Sequence, residues 1–97
     1  MNFLSTPTFE KQVKKLAKKY PRIKDDLEAF KNDFIAGKIQ DDRIPGLKWE
    51  IYKARWRSTD MKLGKRGGYR IIYYLPPENN VVILLIIYAK VKREDIS

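Results

Sequence analysis

The run Val81 to Ala89 near the end of the chain is apolar throughout, and it limits what this sequence can build. It falls far short of the roughly 20 residues that cross a bilayer. Turn chemistry, Pro76-Pro77-Glu78-Asn79-Asn80, stands immediately before it. An apolar run of this length behind a turn signal reads as a strand, Val81 to Tyr88. Nothing in it alternates, so both of its faces are expected to be covered, as in a central strand. Such a strand requires neighbours on its edges and an apolar layer against it.

The remaining segments supply both. Tyr69 to Leu75 reads as one further strand, and Leu47 to Trp56, rich in aromatic and β-branched residues, as another. Asn2 to Ser5 suits a short edge strand. Lys38 to Gly46 is a polar connection ending in Pro45-Gly46, and Arg57 to Gly68 is a charged loop carrying Gly64, Gly67 and Gly68. The first half is helical instead. Thr6-Pro7 reads as an N-cap followed by proline at the first helical position. Phe9, Val13, Leu16, Ala17 and Tyr20 then fall on one helical face, with Lys11, Lys14, Lys15, Lys18 and Lys19 opposite as a solubilising stripe. Pro21 breaks the pattern. Ile23, Leu27, Phe30 and Phe34 resume it, and Gly37 supplies a stop. So short a connection predicts two packed antiparallel helices. The whole predicts an α+β domain spanning residues 1–97, with an N-terminal helical hairpin packed on a small antiparallel β-sheet.

Composition narrows the function. The chain has 97 residues, 21 Lys and Arg against 12 Asp and Glu, and a net charge of +9. A single core is expected, and a chain of this size buries only about 60–65% of its unfolded surface. With no Cys and no His, disulfides, Cys/His zinc sites, a His base and a Cys nucleophile are all excluded. The positive balance points to a polyanionic partner, nucleic acid first. Met1 to Glu10 shows no basic start followed by an apolar stretch, so the expectation is a cytoplasmic protein without a membrane partner.

Strand alternation sorts the cations. Lys53 and Arg55 share one face, with Tyr52, Ala54 and Trp56 on the other. Arg70 shares a face with Ile72 and Tyr74, and Tyr88 with Lys90. If register joins these faces, Lys53, Arg55, Arg70, Tyr88 and Lys90 form one basic cluster containing a phenol. Arg70 interrupts large apolar residues, so it needs an acidic partner or a ligand. The segment Gly64-Lys65-Arg66-Gly67-Gly68-Tyr69-Arg70 reads either as a hairpin loop or as a glycine-hinged basic loop laid along phosphates. It is no Walker loop, since no Gly-Lys-Ser/Thr opens a helix. Trp49 and Trp56 either pack in the core or stack on bases.

The stretch Gly-Lys-Arg-Gly-Gly-Tyr-Arg-Ile-Ile-Tyr-Tyr (64–74), followed by Leu84-Leu85-Ile86-Ile87-Tyr88-Ala89-Lys90, resembles the RelE/HigB toxins of bacterial type II toxin–antitoxin modules. The resemblance extends from the helical hairpin through Tyr52-Lys53-Ala54-Arg55 to Glu94-Asp95-Ile96-Ser97. It implies a RelE-like domain and a ribosome-dependent endoribonuclease that cuts mRNA in the A site without a metal or cofactor. Lys53, Arg55, Arg70 and Lys90 match the basic site positions, and Arg93 a basic residue just beyond. Lys62, Lys65, Arg66, Lys92 and Arg93 are the candidate RNA-binding cations. The implied partners are a cognate antitoxin, the ribosome and mRNA. Many relatives continue into a C-terminal helix and some use a His. Here the chain stops at Ser97, so that helix is expected to be absent, and an acid must come from Tyr, Lys or a carboxylate.

The chemistry suits these residues. The RNA 2′-oxygen attacks the adjacent phosphate and leaves a 2′,3′-cyclic phosphate. Arg55 and Arg70 offer planar forks to the phosphorane. Lys53 or Lys90, crowded by cations, is the candidate base. Tyr88 is placed for proton transfer or base stacking. Two other readings share the features: a ParE-like toxin acting on gyrase, and a non-catalytic basic module that binds nucleic acid.

Overall fold

The computed structural model describes residues 1–61, 67–78 and 80–90. In chain order the elements are β1 (Asn2–Ser5), α1 (Pro7–Ala17), α2 (Ile23–Ile35), β2 (Asp41–Arg43), β3 (Ile51–Trp56), β4 (Tyr69–Tyr74) and β5 (Val81–Ala89). The architecture is α+β, with one five-stranded sheet ordered β1-β5-β4-β3-β2.

The sheet is mixed, which corrects the expected antiparallel sheet. β2, β3, β4 and β5 pair antiparallel, but β1 runs parallel to β5. The Asn2 N–H donates to Asn80 O at 2.7 Å and the Thr6 N–H to Leu84 O at 3.1 Å. β1 therefore enters beside the start of β5 and follows it. β2 is a second correction, because it lies inside the stretch read as a plain connection. It is fully exposed at the sheet edge, where its polar sequence carries no period-two signal. β3 begins at Ile51 rather than Leu47.

β5 sits inside the sheet, between β1 and β4, but only one of its faces is covered. Val82, Leu84 and Ile87 are buried against the helices. Ile86 and Tyr88 are 37% and 40% exposed on the other side. The expectation of two covered faces therefore fails for this strand. The switch from even to odd buried positions marks a bulge: Ile72 pairs Ile86 while Tyr73 pairs Leu84, leaving Leu85 extra. Side chains from the N-cap of α1 and from α1 itself satisfy the freed backbone. The Thr6 hydroxyl donates to Leu85 O at 2.9 Å, and Gln12 Oε1 accepts from the Ile87 N–H at 2.9 Å.

The helices form where their caps and stripes place them. Thr6 Oγ1 accepts from the Phe9 N–H at 3.0 Å, with Pro7 opening α1. Arg22 caps α2 without a side-chain bond of its own; Asp60 accepts from the Arg22 N–H at 2.8 Å instead. Gly37 follows α2 with φ 73°, a left-handed stop. Both apolar stripes join one core with the inner sheet face. Phe30 packs edge-on against Trp56 (centroids 5.5 Å), Phe34 against Tyr73 (5.2 Å) and Tyr20 against Tyr69 (6.0 Å). Each such pair contributes about 0.5–1.5 kcal/mol beyond its buried area. The buried Asp26 carboxylate accepts from the Thr59 N–H at 3.0 Å, and its carbonyl accepts from Trp56 Nε1 at 2.6 Å. One acidic residue thus fastens α2 to the end of β3 and the residues after it.

Burial raises the pKa of the Tyr73 phenol, and its hydrogen bond to the Asp41 carboxylate raises it further. Burial also raises that of Tyr69. The folded state therefore holds both protons more tightly than the unfolded chain. Their contribution is complete below about pH 10, the ordinary phenol value, and is lost as pH rises above it. Melting temperatures taken from pH 8 to pH 11.5 are expected to fall beyond pH 10, with a shallower fall in Tyr73→Phe. Among the described residues no helix is long and apolar enough to cross a membrane.

Candidate nucleic-acid site on the open sheet face

Three candidate residues from three adjacent strands stand in one row. Arg55 on β3 pairs Arg70 on β4, and Arg70 pairs Tyr88 on β5. Directly opposed residues on neighbouring strands hold their Cβ atoms about 4.5–5.5 Å apart, so the row spans about 10 Å. Lys53 lies in the next row, opposite Ile72, about 7 Å along β3. Lys90 follows β5 on the other side, where its N–H donates to Gly68 O at 2.7 Å. Arg55, Arg70 and Tyr88 are thus in direct register, with Lys53 and Lys90 flanking them. Lys62, Lys65, Arg66, Lys92 and Arg93 lie outside the described residues, as does the expectation about a C-terminal helix.

The bulge at Leu85 makes the row possible. Without it, Tyr88 would share the buried face of Val82 and Leu84. The Gln12 carboxamide holds this register from α1. Gln12→Ala leaves the Ile87 N–H without its partner and is expected to cost about 1–2 kcal/mol. Faster amide exchange at Ile87 and Tyr88 is the local readout, and Gln12→Glu, which keeps an acceptor, is expected to restore protection.

Arg70 is the unusual member. It is only 8% exposed. Its Nη1 donates to the carbonyl of Tyr69 at 3.2 Å, and no carboxylate pairs with it among the described residues. Burial lowers its pKa, the neighbouring Arg55 lowers it further, and Tyr88 opposes the shift. The guanidinium remains charged at neutral pH. A charge so placed is poorly compensated, and an anion brought to it gains what the protein withholds. Arg55 and Tyr88 are exposed beside it, so the row is open to a polymer from solvent.

Other neighbours were not legible beforehand. Asp42 pairs opposite Lys53 across β2 and β3. Gln40, Asp41, Asp42, Lys53 and Arg55 line a cleft of about 140 Å³ there. A carboxylate therefore stands beside Lys53, where the sequence reading placed cations alone. Nothing in the alternation of residues 38–46 signals it, since register alone brings it in. The tryptophans part company. Trp56 is buried, whereas Trp49 is 55% exposed and meets Tyr74 edge-on at 6.1 Å beside Ile51 and Leu85. A scan against protein-family models finds no match to the chain, and a search of curated proteins finds none either.

Proposed function

We propose that this chain is the toxin of a type II toxin–antitoxin pair, an endoribonuclease of RelE/HigB type that cuts mRNA on the ribosome. The observation that carries the reading is Arg70, buried without a carboxylate among the described residues and flanked in register by Arg55 and Tyr88. Two adjacent guanidinium forks beside a phenol suit a pentacovalent phosphate better than a structural role. The proposal includes the finer fold, a helical hairpin on the sheet in the RelE-like layout, and a cytoplasmic setting. The two consecutive helices that share one core with the inner sheet face support it.

In this reading the RNA 2′-oxygen attacks the adjacent phosphorus, and the 5′-oxygen of the next nucleotide leaves. Arg55 and Arg70 neutralise the phosphorane oxygens. Lys53 or Lys90 takes the 2′-proton, and Tyr88 relays a proton to the leaving oxygen or stacks on a base. Lys62, Lys65, Arg66, Lys92 and Arg93 belong to the proposal as further RNA contacts on sequence grounds. The open face, basic at one end and apolar at the other, suits a cognate antitoxin as partner. The test is cleavage of mRNA by the purified protein on programmed ribosomes, with product ends read by mass spectrometry. Fragments ending in a 2′,3′-cyclic phosphate are the expected product. Salt-sensitive binding without cleavage would instead indicate a non-catalytic module.

A further inference from the structure

A second group of cations lies past the row, around a cleft of about 470 Å³. Lys38, Arg55 and Arg57 line it, with Gln40 and Asp33. Asp33 forms no ion pair with any of the three cations, because the ion pairs among the described residues are Arg22–Asp60, Lys31–Glu28 and Arg43–Glu50. The Arg57 guanidinium is held 4.5 Å from the centroid of the Trp56 ring. It is therefore partly fixed before any ligand arrives. Arg55 belongs both to this cleft and to the row with Arg70 and Tyr88. Arg57 stands two residues beyond Arg55, just past the end of β3. The backbone of Gly68 comes so close that a Cβ there would lie 3.2 Å from Arg57 Cα.

We propose that this cleft binds the phosphodiester next to the one held by Arg55 and Arg70, on the same single strand of RNA. Lys38 and Arg57 are its phosphate ligands. The Arg57 guanidinium, backed by Trp56, gives the adjoining base a flat cation to stack on. The strand then runs over the open face at Tyr88, past Arg70 and Arg55, and round the end of β3 toward the tail of α2. The inference rests on the RNA reading above and adds a direction and a second binding position to it.

The test uses the full chain and 2′-O-methyl oligouridylates of two and six nucleotides, which resist cleavage. Binding is measured by fluorescence anisotropy from 50 to 200 mM salt for wild type, the double variant Lys38→Gln/Arg57→Gln, and Arg70→Gln. Wild type is expected to favour the hexamer over the dimer, and the double variant to lose that preference. Losing two phosphate contacts on a single strand lowers the salt slope by about 1.4. The affinity ratio of wild type to double variant is then expected to shrink about sevenfold across that salt range. The charge-conserving pair Lys38→Arg/Arg57→Lys is expected to keep the wild-type slope, and melting curves establish that each variant is folded. An unchanged slope and length preference in the double variant, with weaker binding in Arg70→Gln, overturns the inference and leaves the RNA reading standing. Salt-insensitive binding by wild type overturns both.

Discussion

Arg70→Ala is expected to lower the rate of RNA cleavage by about 10²–10³-fold while leaving the protein folded. That loss is typical when one preorganised donor to a developing oxyanion is removed. The variant separates function from stability because Arg70 has no carboxylate partner among the described residues and donates to a neighbouring carbonyl. A buried charge without compensation is a cost to the fold. Arg70→Met, which fills much of the same space without the charge, is therefore expected to melt at a higher temperature than wild type and to be inactive. Arg70→Lys keeps the charge but loses the planar fork, so substrate binding should survive better than the rate. Single-turnover cleavage beside thermal melting reads all three variants. An Arg70→Ala protein that is folded and fully active removes Arg70 from the site.

Gly68→Ala is expected to be far more destabilising than the same change at Gly37 or Gly46. Gly68 has φ 101°, where an L side chain is strained. Its Cβ would also collide with the Trp56 carbonyl oxygen, a backbone atom with little freedom to yield. Trp56 is itself held through Nε1 to Asp26 O and packed on Phe30, so β3 cannot shift cheaply. Strain and overpacking together are expected to cost about 3 kcal/mol. In a domain of this size that is a fall of roughly 12–20 °C in melting temperature. Gly37→Ala is the contrasting control. Its φ of 73° is also unfavourable, but nothing lies within 4 Å of the new Cβ, so only the backbone cost applies. Equal losses at the two glycines would show that the close approach to Trp56 is not what matters at Gly68.

The parts of the fold legible in the sequence are those where one residue type marks one face. The stripe Phe9, Val13, Tyr20 marks the buried side of α1 and the connection after it. Alternation sets Arg55 apart from Ala54 and Trp56 on β3 and groups Arg70 with Ile72 and Tyr74 on β4, and the observed register, which the sequence left open, joins the two arginines directly. Where a segment uses one residue type on both faces, the information is missing. The run Val81 to Ala89 hides its bulge, because apolar residues occupy both sides of it and a one-residue shift changes nothing in the pattern. The side chains that hold the bulge, Thr6 and Gln12, are more than 70 residues away in sequence. The same uniformity suggested two covered faces where one is open. β2 and its Asp42 were invisible because an exposed edge strand needs no alternation. Arg57 was missed for a simpler reason. It lies just past the end of β3, where strand alternation no longer assigns a face, and its seat over the Trp56 ring comes from the fold alone.

A site that cuts mRNA during translation leaves new 5′ ends in the message, and primer extension after brief induction in cells maps them. Wild type is run beside Arg70→Ala. New 5′ ends inside translated codons are expected with wild type, and none with the variant. Growth arrest by wild type with its mRNA intact would contradict it and point to a toxin that acts on another target.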